Sequence, residues 1–135
     1  MTLERINPET LARPSGFAHA VRATGTVRVH LAGQTAMDRD GRIVGGGVVA
    51  QVEQALTNLL TALAAAGGAP EHLASVTIYS VDLADYRAHA REIGAVWRRL
   101  VGADYPAMAG IGVARLWDDD ALVELQAVAE IPRDQ

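Results

Sequence analysis

The sequence predicts an α+β fold, a mixed β-sheet carrying two helices on one face. Three observations lead there. Two stretches, 48–66 and 86–101, repeat apolar residues at helical spacing. Other runs, at 18–32, 76–81, 109–116 and 122–131, are β-branched or alternate with period two. The resulting order, β-β-α-β-α-β-β, interleaves the two kinds of element, so the helices must cover one face of the sheet and leave the other for something else to bury.

Residues 18–32 read as a hairpin, with Thr24-Gly25 as the turn between Ala18–Ala23 and Thr26–Ala32. A short strand near Leu3–Ile6 precedes it. In Val27-Arg28-Val29-His30-Leu31 apolar and polar residues alternate, which predicts one buried and one open face. Asp38-Arg39-Asp40-Gly41 is a turn, and Gly45-Gly46-Gly47 frees the backbone before the first helix. In that helix Val52, Leu56, Leu59, Leu60 and Leu63 form one stripe, while Gln51, Glu53, Gln54, Thr57, Asn58 and Thr61 populate the other side. Gly67-Gly68 offers a left-handed cap and Pro70 prevents continuation.

Val76–Val81 reads as a strand. Asp85 is the expected cap of a second helix, Tyr86 to Val101, whose stripe is Tyr86, Ile93, Val96, Trp97 and Leu100. Two closing strands are expected at Ala109–Leu116 and Leu122–Ile131. In the last, Val123, Leu125, Ala127, Ala129 and Ile131 share the face that suits packing under helices. Glu124, Gln126 and Glu130 lie on the other, which must meet solvent, a partner subunit or a ligand.

The 135 residues suit one domain, 1–135, large enough to fold without metal or disulfide help. Half the residues are hydrophobic and 21% are charged, a soluble globular composition. Cysteine is absent, so thiolate chemistry and disulfides are excluded. All 12 basic residues are arginines, which excludes a Schiff-base or phosphate-gripping lysine. The net charge of −4, scattered arginines and few aromatics argue against a nucleic-acid partner. No apolar run approaches the ~20 residues of a membrane span, and the N-terminus lacks a signal-peptide layout. The expected address is the cytoplasm.

The stretch Tyr105-Pro106-Ala107-Met108-Ala109-Gly110-Ile111-Gly112-Val113-Ala114-Arg115-Leu116, followed by Leu122-Val123-Glu124-Leu125-Gln126-Ala127, resembles the C-terminal signature of the RidA (YjgF-like) family. Gly16–Val21, Leu31–Gln34, Gln54–Leu59 and Asp82–Tyr86 extend the resemblance over nearly the whole chain. It implies a chorismate-mutase-like α+β fold, a homotrimer, and small-molecule sites in the clefts between neighbouring subunits, with no cofactor.

In the deaminating branch of that family an arginine clamps the substrate carboxylate, and a glutamate positions the water that attacks the imine carbon. Tyrosine, serine, asparagine and cysteine side chains line the same cleft. Carried over position by position, the glutamate survives as Glu124, the tyrosine is Phe17, and the serine before Gly33-Gln34 is Ala32. The asparagine falls near Ala90, the arginine is Met108 and the cysteine is Gly110. A bidentate guanidinium would supply charge-assisted hydrogen bonds that methionine cannot. The resemblance thus implies an apolar cleft with Phe17, Ala32, Gly33, Gln34, Met108 and Gly110 as substrate-binding positions and Glu124 as acid/base. Neutral or weakly polar substrates suit such a cleft better than free amino-acid imines.

Arg115 shares a strand face with Ile111 and Val113, opposite Met108 in a regular strand, and so is not expected to replace the lost arginine. The four histidines, at 19, 30, 72 and 89, show no ligand spacing, so no metal is expected. His19 stands out because it neighbours Phe17 in the motif. Asp118-Asp119-Asp120 reads as a solvated loop, since a calcium loop needs alternating ligands. The leading expectation is therefore a trimeric small-metabolite protein of this family, an imine or enamine deaminase-type hydrolase. The alternative is a trimer that binds or regulates without catalysis. Ribonuclease activity, sometimes ascribed to the family, is disfavoured by the acidic charge.

Overall fold

The computed structural model describes residues 3–133. Its centre is a four-stranded mixed sheet ordered β3-β6-β4-β5, built from Thr26–Gln34 (β3), Leu73–Ser80 (β4), Ala107–Gly112 (β5) and Val123–Pro132 (β6). The β3–β6 and β6–β4 pairs are antiparallel, and β4–β5 is parallel. A parallel pair needs a crossover, which the second helical segment supplies.

Leu3–Ile6 (β1) and Ala20–Ala23 (β2) form a separate antiparallel ribbon. The hairpin expected over 18–32 does not form. Gly25 turns the chain with φ 66°, but β2 leaves toward β1 while β3 runs along β6. The alternation itself explains this. Val29 and Leu31 pair with Ala129 and Ala127 on the buried face, a partner surface that the four largely exposed residues of β2 cannot offer.

The first helix, Gly47–Ala65 (α1), buries Val52, Leu56, Leu59 and Leu63 as its spacing predicts, with Leu60 at the margin. Gly46 and Gly47, at φ 98° and 88°, are the freed backbone before it, and Gly67 closes it at φ 92°. Gln51 departs from expectation: it is buried rather than part of the wet side.

The second helix is two: Leu83–Ala88 (α2) and Ala90–Leu100 (α3), broken at His89. The His89 Nδ1 lies 2.9 Å from the Asp85 carbonyl, the same oxygen its own N–H reaches at 3.3 Å, so the side chain intrudes on the helical ladder. The cap is Asp82 rather than Asp85, its carboxylate accepting the Asp85 N–H at 3.0 Å. The helices cover the sheet face bearing Val76, Val123, Leu125, Ala127 and Ala129. No helix is long and apolar enough to cross a membrane among the described residues.

Candidate functional site

Strand pairing assigns each candidate to a face. Met108 pairs with Val76, and Gly110 with Ile78, which in turn pairs with Leu125. These residues share the helix-covered face. Glu124 pairs with Tyr79, and Tyr79 with Ile111, on the open face. The sheet therefore separates Met108 and Gly110 from Glu124 within one chain.

On the helix side, beside the edge strand β5, lies a cavity of about 330 Å³. Phe17, Met108 and Gly110 line it, with Tyr86 and Ala90 from the helices and Trp97 stacked on Tyr105 at 5.5 Å. No charged side chain lines it. Its depth comes from the core stripe, since Val52, Leu56, Ile93 and Leu125 form its floor. Burial pushes the Tyr86 phenol up to about 12, so at neutral pH it stays protonated and able to donate a hydrogen bond.

Phe17 reaches this cavity because its segment is tied to β5. The Ala18 N–H donates to the Pro106 carbonyl at 2.9 Å, and the Arg5 Nε donates to the Tyr105 carbonyl at 3.0 Å. His19 has a positioning place. Its Nε2 lies 2.8 Å from the Ala12 carbonyl, and its ring meets Phe17 edge-on at 5.0 Å.

On the open side an acidic hollow of about 530 Å³ holds Glu124, Gly33, Gln34, Thr35, Met37, Trp117 and Asp118. A Cβ on Gly33 would collide with the Glu124 carboxylate, so the missing side chain makes room for it. The shift in register between Leu31 and Gln34 sets this part of β3 beside Glu124. Ala32 is exposed and lines neither space, and Arg115 lies beyond the end of β5 and lines neither.

Polar residues of α1 hold the walls of the hollow. Buried Gln51 donates from Nε2 to the Asp120 carbonyl at 3.0 Å and accepts the Leu122 N–H at 2.8 Å. Asn58 donates to the carbonyls of Thr35 and Met37 at 3.1 and 2.8 Å, and accepts from Gln54 at 2.9 Å. Sequence reasoning placed these on a wet helix face. Trp117 was also missed: it is 94% exposed, and the sequence offered only its place directly before Asp118-Asp119-Asp120.

Elsewhere on the open face Glu130 is only 5% exposed. Burial pushes its carboxyl up, but hydrogen bonds from Arg28 and Thr26, both 2.7 Å, and the charges of Arg28 and His30 outweigh that and hold it below the usual carboxylate range. No cluster that could hold a metal occurs among the described residues.

A mixed sheet backed by helices on one face, with a carboxylate hollow and an apolar cavity on opposite sides of it, defines a small α+β protein. The family model described as endoribonuclease L-PSP matches residues 9–131. The RutC family protein UK114 of Drosophila melanogaster is 32% identical over 126 residues, 92% of this chain and 86% of that one. The 2-iminobutanoate/2-iminopropanoate deaminase of Capra hircus is 33% identical over 114 residues, 84% of this chain and 78% of that one. The crystal structure of YyfB, a Rid-family protein of Yersinia pestis, superposes with a TM-score of 0.86 at 35% identity, covering 97% of this chain and 100% of that one. The chain belongs to the RidA (YjgF-like) family, also described as endoribonuclease L-PSP.

Proposed function

We propose that this protein is a cytoplasmic homotrimer that binds a small metabolite in three intersubunit clefts and hydrolyses an imine or enamine, with Glu124 as acid/base. The observation that carries the reading is the division of the candidate residues between opposite faces of one sheet. Neither half makes a complete site. The cavity with Phe17, Met108 and Gly110 has no acid or base, and the hollow with Gly33, Gln34 and Glu124 has Met37 and Trp117, both exposed, as its large apolar side chains. A cyclic assembly in which the cavity of one subunit faces the hollow of the next joins them three times over. Similarity to 2-iminobutanoate/2-iminopropanoate deaminases supports the reaction class.

In such a cleft Glu124 accepts a proton from water as its oxygen bonds the imine carbon, and the C=N electron pair moves to nitrogen. The carboxylic acid then returns the proton to that nitrogen. The hydroxyl proton of the resulting carbinolamine then passes through Glu124 to the nitrogen as the C–N bond breaks, which releases ammonia and leaves the carbonyl product. The protonated Tyr86 phenol is placed to orient the ligand from the cavity side.

Turnover of imines generated in situ by an amino-acid oxidase or an amine oxidase tests this directly. Glu124→Gln is expected to lower kcat by about 10²–10⁴-fold while the trimer persists in size-exclusion chromatography. Loss of the trimer, or turnover unchanged in Glu124→Gln, overturns the reading. A binding protein without catalysis is the second reading, favoured by Met108 standing where the deaminating branch has its arginine. It predicts a ligand-dependent rise in Tm with no turnover.

A further inference from the structure

We infer that the cleft selects a cationic ligand, an iminium or ammonium group on an apolar body with no carboxylate, and that Trp117 covers that group. The inference rests on the intersubunit cleft proposed above. Both halves lack a cation: the cavity is lined by uncharged residues and the hollow by Glu124 and Asp118 as its only charged groups. Among the described residues the ion pairs are Arg22–Glu4, Arg28–Glu130, His89–Asp85 and Arg99–Glu53. Among those residues Glu124 and Asp118 thus have no cationic partner.

A ligand carboxylate brought here would lose its water and meet two like charges, with no guanidinium to receive it. A positive nitrogen meets the opposite situation. Glu124 and Asp118 attract it, and the open indole face of Trp117 offers a cation–π surface next to them. Met37, also exposed, lines the same hollow, and the aromatic cavity opposite accepts the apolar body. Met108 in place of an arginine is then an inversion of charge selectivity, and it leaves a site for carboxyl-free imines. For these the reaction balances as iminium plus water giving carbonyl compound plus ammonium, with the steps at Glu124 unchanged.

Three probes of one shape separate the charges: benzylamine, benzyl alcohol and benzoate. The chain has two tryptophans, so Trp97→Phe leaves Trp117 as the sole indole reporter. Benzylamine at neutral pH is expected to shift Trp117 emission saturably and to bind about tenfold more tightly than benzyl alcohol. Benzoate is expected to bind more weakly still. High salt and Glu124→Gln should each weaken benzylamine and leave benzyl alcohol unmoved. Because Trp97 lines the cavity that takes the apolar body, thermal shifts of the unaltered protein with the same probes must give the same order of affinities. Benzoate binding as tightly as benzylamine, or no binding by any probe, overturns the inference. Turnover of 2-imino acids with no preference for benzylamine would uphold the hydrolase and defeat the charge inversion. Benzylamine preference without turnover of any imine would do the reverse.

Discussion

Glu124 depends on a neighbour that has no side chain. Gly33 leaves the volume that the carboxylate fills, so Gly33→Ala is expected to displace Glu124 and to cut turnover or ligand affinity more than it lowers Tm. Parallel assays of activity and thermal unfolding separate the two effects. Met108 works through chemistry rather than space. Met108→Arg would put a guanidinium into the apolar cavity and is expected to raise binding of 2-imino acids or of benzoate at the expense of ammonium ligands. A third side chain, Glu130, governs acid stability. Because its carboxyl is held below the ordinary 4.5, the stability it contributes is complete above that value and is lost as pH falls through its folded-state value. Glu130→Gln should flatten the decline of Tm at pH below 4.5, as followed by circular dichroism.

Among the elements, α1 does two jobs with two sides. Its leucines anchor the core, and Gln51 and Asn58 hold the segments that wall the hollow. Gln51→Leu would leave the Asp120 carbonyl and the Leu122 N–H without their partner, at about 1–3 kcal/mol for each group that stays buried. Denaturant unfolding should show that loss, and amide exchange should quicken across 117–122 ahead of the core strands. The break at His89 has a role of the same kind. It ends α2 after Tyr86 and redirects α3, so that Tyr86, Ala90 and Trp97 all line one cavity.

At the scale of the whole molecule the sheet is a partition. One face is sealed by α1 and α3, and the other carries Glu124, Tyr79 and Gln126 with no helix over them among the described residues. If each cleft takes its cavity from one subunit and Glu124 from the next, two inactive variants should complement each other. Glu124→Gln refolded at equal amounts with a cavity-blocking Gly110→Leu chain is expected to recover about a quarter of native activity by random assortment of subunits. Activity measured on the mixture, against each variant alone, checks this. No recovery would place both halves of the site in the same subunit's reach.

The sequence by itself determined the α+β class, both apolar stripes, the buried odd-numbered face of β6 and the family, because periodicity and motif order are local properties of the chain. It also marked Glu124, Phe17, Met108 and Gly110. Only the tertiary structure decided that β2 pairs with β1 and β3 with β6, since a strand's partner is set by which distant face matches its alternation. The same holds for the candidate residues: they read as one cleft along the chain, and strand register sends Met108 and Glu124 to opposite sides of the sheet. Gln51 and Trp117 show the limit most plainly. A glutamine on a helix and a tryptophan in a loop carry no local sign of burial or exposure, which depends on what the rest of the chain brings against them.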